Sequence, residues 1–343
     1  RSAALVALAL SIAFAVPARA DSSLLGEWPS PDAVAGIPGE PVTYPSISPF
    51  TLTDLDDPAD VDRTPAKATL FMPPGKHAPR SVPAVIMLHG SSGVLPAREL
   101  TYGPQLAQMG VAALVVDAFG ARRDLGTSFT ERLLNITETM LMADAYKGLG
   151  YLAAKPEIDP KRVVLIGFSY GAMATMYALN GHVADRLAPQ GLRFAGHVAF
   201  YGPCIAYFDD PRTTGAPLLM LYGAADEIVD AKRCAALAAQ FRTGGSTVDI
   251  IAYPGAVHQW DGAFARRLIG RNLAPCRFEI ERDGSVRDDR TGLPMSSPFW
   301  RKIELVLCVE DRPYPIGRDD AVRAQSNRDL GRFLAKVFGQ SAS

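Results

Sequence analysis

Three residues, at intervals suited to nucleophilic catalysis, carry the chemistry legible in this chain. Gly167-Phe168-Ser169-Tyr170-Gly171 stands between the apolar run Val163 to Ile166 and a helix-forming stretch that opens Ala172-Met173-Ala174. A serine hydroxyl is a weak nucleophile until it is exposed and a base takes its proton, and a tight strand-to-helix turn flanked by glycines provides the exposure. The pentapeptide alone is weak in a chain with 30 glycines. Its context adds weight, because a hydrolase built on such a turn needs an acid and then a histidine at the ends of later strands, in that order. Asp226 follows the apolar run Pro217 to Tyr222, and His258 follows Val248 to Ala252 and Tyr253-Pro254-Gly255. His258 would take the Ser169 proton and return it to a leaving group, with Asp226 fixing the imidazole tautomer. Asp230 is a second candidate acid, but its place suits a helix start, where a carboxylate is favourable in itself.

The oxyanion of such a reaction needs donors. The backbone N–H of Tyr170, directly after the nucleophile, is one, and Ser91 in the loop His89-Gly90-Ser91-Ser92-Gly93 is expected to supply the other. His89 sits at a strand end and reads as a brace for that loop. His77, His182 and His197 lack partners at catalytic spacing and read as structural. Phe119 and Trp260 flank the centre as candidate substrate-pocket residues, whereas Phe168 reads at least as well as core.

The elements that must position these residues follow from periodicity. Ala68-Met72, Ala84-Leu88, Ala112-Asp117, Val163-Phe168, Ala195-Tyr201, Pro217-Tyr222 and Val248-Ala252 are short, mostly continuous apolar runs, as strands buried on both faces should be. Helical spacing over Glu131–Lys155, Gly171–Leu179, Ala231–Phe241 and Asp319–Phe338 alternates with them, which predicts a mostly parallel sheet covered on both faces. Asn135-Ile136-Thr137 matches a glycosylation acceptor but falls inside the first of these predicted helices. Residues 21–50, with six prolines, read as an extended lead-in, and 51–343 as one domain. Residues 262–318 break the alternation and read as an insertion, with a hairpin around Asp283-Gly284.

Composition bounds the partner. With 48% apolar and 21% charged residues and a net charge of -1, the chain shows neither the signature of disorder nor the basic excess of a nucleic-acid binder. The apolar stretch Ala3 to Val16 falls short of the roughly 20 residues of a bilayer span. Arg1 before it and Pro17-Ala18-Arg19-Ala20 after it give residues 1–20 the layout of a signal peptide, so a periplasmic or secreted location is expected. An exported chain meets oxidising conditions, so Cys204, Cys234, Cys276 and Cys308 read as two disulfides. Of the three possible pairings, Cys204–Cys234 and Cys276–Cys308 are expected. No cysteine or histidine spacing suits zinc, so no metal is expected.

The His89-Gly90 loop, Val115-Val116-Asp117-Ala118-Phe119-Gly120, the serine turn, Leu221-Tyr222-Gly223-Ala224-Ala225-Asp226 and Tyr253-Pro254-Gly255-Ala256-Val257-His258 together resemble the dienelactone hydrolase family of the α/β-hydrolase superfamily. The resemblance runs from about Ala68 to Phe338. It implies an α/β fold with a mostly parallel eight-stranded sheet, and hydrolysis of a small-molecule ester or lactone without metal or organic cofactor. The family's namesakes carry cysteine in the turn, where this chain has Ser169, which points to a serine esterase. They also hold a substrate carboxylate with arginines, and Arg122 and Arg123 occupy the neighbourhood of one of these. An acyltransferase or peptidase would use the same three residues. A non-catalytic ligand-binding relative is the reading from another class, though such a protein has no reason to keep nucleophile, acid and base in order.

Overall fold

The computed structural model describes residues 23–57 and 61–339. The expected signal segment, 1–20, lies outside the described residues. In chain order the first strands are β1 (Glu40–Tyr44), β2 (Ala66–Phe71), β3 (Val82–Leu88), β4 (Ala112–Val116), β5 (Ile158–Phe168), β6 (Gly196–Phe200), β7 (Ala206–Phe208), β8 (Leu218–Gly223) and β9 (Val248–Tyr253). All but β7 form one eight-stranded sheet in the order β1-β2-β4-β3-β5-β6-β8-β9. Every pairing from β4 to β9 is parallel, and β2 runs antiparallel to both β1 and β4. This is the mostly parallel sheet that the alternation of elements predicts, and the α/β-hydrolase fold that the family resemblance implies.

The helices are α1 (Glu99–Gln108), α2 (Ala118–Ala121), α3 (Phe129–Asn135), α4 (Glu138–Ala153), α5 (Tyr170–Tyr177), α6 (Gly181–Leu187), α7 (Ala231–Thr243), α8 (Pro298–Cys308) and α9 (Asp320–Val337). Every residue of β3, β4 and β6 is buried, which is why β3 and β4 are continuously apolar and not alternating, while β6 admits His197 with its Nδ1 on the Thr175 carbonyl. Each such Val, Leu or Ile contributes roughly 1.5–3 kcal/mol when fully buried. At the edge, β9 is buried only at its ends, Val248 and Tyr253, and exposed or half-buried between them. Among the described residues no helix is long and apolar enough to cross a membrane.

Three elements depart from the sequence expectation. Part of the expected lead-in, Glu40–Tyr44, is the edge strand β1, where Pro41 is tolerated because edge strands leave N–H positions unpaired. The single helix expected over Glu131–Lys155 is two, α3 and α4. Ile136 is extended (φ -111°, ψ 103°), Thr137 Oγ1 donates to the Phe50 carbonyl at 2.8 Å, and Asn135 of the glycosylation motif lies at that break. Helix α1 has no strong sequence signature because it contains Gly103 and Pro104, yet it packs on β4 and buries Tyr102, Leu106 and Ala107.

Between Gly262 and Asp319 lie β10 (Arg267–Ile269), β11 (Phe278–Ile280), β12 (Val286–Asp288), α8 and β13 (Tyr314–Ile316). Strand β11 pairs parallel with β7 and antiparallel with β12, and β10 pairs with β13. Cys204 is bonded to Cys234 and Cys276 to Cys308, across 30 and 32 residues. The first bond ties the approach to β7 onto α7, and the second ties the approach to β11 onto the end of α8.

Candidate active site

The C-terminal ends of β3, β5, β8 and β9 deliver the chemical residues to one edge of the sheet, where loops of open parallel sheets build sites. Strand β5 ends at Phe168, and Ser169 turns the chain into α5 with a φ of 51°, a conformation costly for a residue with a side chain. The turn is held by neighbours on both sides: the Ser169 N–H donates to the Phe200 carbonyl at 2.9 Å, and the Ser169 carbonyl accepts from Ala172 and Met173 at 2.9 and 3.1 Å. Gly171 is required by contact, since a Cβ there would stand 2.3 Å from the Leu88 carbonyl oxygen.

Asp226 follows β8. Its Oδ1 accepts from the Ile228 N–H at 3.1 Å, leaving Oδ2 to meet His258 Nδ1 at 2.7 Å. His258 Nε2 lies 2.8 Å from Ser169 Oγ. All three residues are at least 94% buried, with exposures of 6% for Ser169, 5% for Asp226 and 1% for His258. The acid and histidine loops are locked together by an Ala225 N–H to Ala256 carbonyl bond of 3.0 Å. Gly223 allows that approach, because a Cβ there would meet the Ala256 oxygen at 2.2 Å. Asp230 is elsewhere: its Oδ1 caps α7, accepting from the Lys232 and Arg233 N–H groups.

Tyr170 opens α5, so its N–H has no intrahelical acceptor. Ser91 lies in the turn closed by the Gly93 N–H on the Gly90 carbonyl at 3.0 Å. His89 beneath it is fully buried, its Nδ1 2.8 Å from the Gly90 carbonyl. Burial lowers its pKa, against the opposing pull of that carbonyl, of Glu99 and of Asp117, so the ring is a neutral brace. Phe119 packs 4.5 Å from His89 and 6.4 Å from Tyr170. Of the other histidines, His77 Nε2 meets the Pro73 carbonyl, His182 pairs with Asp210, and His197 Nδ1 meets the Thr175 carbonyl.

Two expected substrate contacts are corrected. Arg122 is fully buried and all five of its N–H donors are engaged: Nε by Ser48 Oγ, Nη1 by Asp144 Oδ2 and the Ala118 carbonyl, Nη2 by Asp144 Oδ1 and the Ile47 carbonyl. It has none left for a substrate carboxylate. Arg123 beside it is exposed. Trp260 is fully buried, with Nε1 donating to Ser326 Oγ at 3.0 Å and its ring 4.8 Å from Tyr201 and 5.3 Å from Tyr253. It packs beneath the histidine loop.

Sequence reasoning passed over the residues behind His258. Tyr201, at the end of β6 with a φ of 43°, sets its ring 4.8 Å from the imidazole and donates its hydroxyl to Asp261 Oδ1 at 2.6 Å. Burial raises the Asp261 pKa although Arg98 and Arg323 stand nearby. Tyr314 of β13 lies 5.8 Å from His258 on another side, and the Gly317 N–H donates to the His258 carbonyl at 3.0 Å. The position of Tyr201 between the nucleophile and acid strands was a usable signal; Tyr314 had none. Among the described residues no group of three or more His, Cys, Asp or Glu is arranged to hold a metal.

The profile of the dienelactone hydrolase family matches residues 67–270. A dienelactone hydrolase-like promiscuous phosphotriesterase from metagenomic libraries is 20% identical, covers 65% of this chain and 85% of its own, and superposes with a TM-score of 0.49. Esterase 2 of Thermogutta terrifontis is 16% identical over 87% of this chain and 96% of its own. Its TM-score is 0.52 in the form phosphorylated by paraoxon and 0.53 in the form phosphoramylated by tabun. At such identity the two Thermogutta esterase forms speak to the fold.

Proposed function

The chain belongs to the dienelactone hydrolase family and is a carboxylic ester hydrolase, and from that premise we propose that it is an exported serine esterase working through an acyl-enzyme on Ser169. The observation that carries the proposal is the unbroken chain Asp226 Oδ2, His258 Nδ1, His258 Nε2, Ser169 Oγ, with steps of 2.7 and 2.8 Å. Ser169 Oγ attacks the ester carbonyl carbon as its proton passes to His258 Nε2. The oxyanion is held by the Tyr170 and Ser91 N–H groups, and His258 returns the proton to the departing alcohol. Water then attacks the acyl-enzyme by the same route. Asp226 keeps the proton on Nδ1 while the imidazole is neutral and stabilises the imidazolium that forms. Two disulfides support export, since such bonds persist in oxidising compartments. The segment between Gly262 and Asp319 walls the histidine side of the site, a role supported by Tyr314 beside His258.

A fluorophosphonate probe tests the reading. The wild type is expected to be labelled and to turn over nitrophenyl esters, and Ser169→Ala to lose both while melting normally. Paraoxon, which phosphorylates the Thermogutta esterase, is expected to inactivate the wild type through the same serine. A folded wild type that takes no label and cleaves no ester would remove the proposal.

A further inference from the structure

An apolar cavity of about 120 Å³ lies between the helix that starts at the nucleophile and the segment joining Gly262 to Asp319. Tyr170, Met173 and Tyr177 form one wall as a single stripe of α5. Ile205, Phe278 and Leu305 face them from β7, β11 and α8 or their approaches. Protein interiors leave few voids larger than a water molecule, and an apolar cavity of roughly 150 Å³ is enough to hold benzene. This one is kept open by its frame. Arg301 on α8 makes a two-pronged pair with Glu138 on α4 at 3.0 and 3.1 Å, and donates to the Leu133 carbonyl at 2.9 Å and the Tyr170 hydroxyl at 3.2 Å. The Cys276–Cys308 bond fixes the other end of α8.

The polar atoms of the wall restrict what fits. Arg301 Nη1 also meets Met295 Sδ, so all five of its donors are engaged and it offers no site for an anion. The Tyr177 hydroxyl, by contrast, is buried and has no hydrogen-bond partner among the described residues. The Tyr177 ring is held edge-on to Phe208, with centroids 5.8 Å apart. A buried donor without an acceptor is unfavourable in the empty protein and is relieved by a ligand that brings one.

We propose that this cavity is the acyl pocket of the enzyme, taking an uncharged acyl group of about four to six carbons with an oxygen near its far end that accepts from Tyr177. The proposal rests on the reading of Ser169 as the acylated residue.

The test compares kcat/KM for nitrophenyl acetate, pentanoate, 4-oxopentanoate and octanoate in the wild type, Leu305→Trp, Leu305→Ala and Tyr177→Phe. Filling the cavity with Leu305→Trp is expected to cut the pentanoate-to-acetate ratio at least tenfold, and Leu305→Ala to move the preference toward octanoate. Tyr177→Phe, the mildest change and the one surest to fold, is expected to lower the 4-oxopentanoate-to-pentanoate ratio about fivefold, the scale of one neutral hydrogen bond. Ratios unchanged in all three variants, or variants that alter selectivity for the alcohol and not the acyl group, overturn the pocket while ester turnover and fluorophosphonate labelling stand. Loss of both labelling and turnover in the wild type instead removes the reading of Ser169, and the pocket with it.

Discussion

Replacing Arg122 separates a structural role from substrate recognition. Its guanidinium lies against Asp144 in a two-pronged pair at 2.7 and 2.9 Å, with both side chains fully buried. Asp144 Oδ1 also accepts from Ser46 Oγ at 2.6 Å, so the pair fastens the chain around β1 to α4. Arg122→Met removes five donors and leaves a carboxylate buried without its cation, a change that costs about 3–5 kcal/mol. Unfolding entropy near 2.1 cal/mol/K per residue over about 300 ordered residues makes each kcal/mol worth about 1.6 °C, so the melting temperature should fall by about 5–8 °C. The double variant Arg122→Met/Asp144→Leu replaces the pair by apolar groups and should recover most of that loss. The assay is calorimetry or thermal circular dichroism on the singles and the double, with kcat/KM for a succinyl and a neutral ester at a temperature where all are folded. The expected ratio of anionic to neutral ester is that of the wild type. A single variant that melts within about 1 °C of the wild type yet loses the anionic ester selectively would refute the argument.

Other perturbations follow from single contacts. Burial pushes the His197 pKa down to about 4, against the Thr175 carbonyl that its Nδ1 meets. Its unfolded value is about 6.5, so the unfolded chain binds the extra proton between these limits and is favoured as pH falls. Stability should drop by about 3 kcal/mol from pH 7 to pH 4 on this account alone, and urea midpoints for His197→Phe should show a correspondingly flatter acid limb. Gly171→Ala would drive a Cβ into the Leu88 and His89 carbonyl oxygens at 2.3 and 2.6 Å; a loss of about 1–3 kcal/mol is expected, with kcat for a nitrophenyl ester at least tenfold lower as the serine turn shifts. The Cys276–Cys308 bond closes a loop of 32 residues, so Cys276→Ser/Cys308→Ser should cost about 3–4 kcal/mol in chemical denaturation on the chain-entropy account, with α8 the first element to gain amide exchange.

How much was legible depended on whether the information was local. The sheet was readable because strands buried on both faces must be apolar throughout, and Val82–Leu88 and Val163–Phe168 are. The serine turn was readable because Gly167, Ser169 and Gly171 form a local pattern between a strand and a helix, although the carbonyl that Gly171 must clear belongs to the distant Leu88. The acid and histidine could be named because each must follow a strand end, and the structure sets His258 within hydrogen-bond distance of both Asp226 and Ser169. The break between α3 and α4 was missed because Ile136 and Thr137 fit the apolar spacing of a helix, while the Phe50 carbonyl that holds Thr137 comes from 87 residues away.

By itself the sequence determined the fold class, the order of nucleophile, acid and base, and the residue types each step needs. Tertiary structure alone decided what each arginine and aromatic residue touches. Arg122 and Arg123 are neighbours in sequence, yet one meets Asp144 in the core and the other is exposed. Trp260 follows the histidine closely but turns inward onto Tyr201 and Tyr253. Tyr314 reaches His258 because β13 pairs with β10 and Ile316 bridges to the histidine itself. Periodicity reports which face of an element is buried, not which distant element covers it. Pairings across tens of residues, such as β7 with β11 or Glu138 with Arg301, leave no mark on local composition, and they are what shape the cavity against α5.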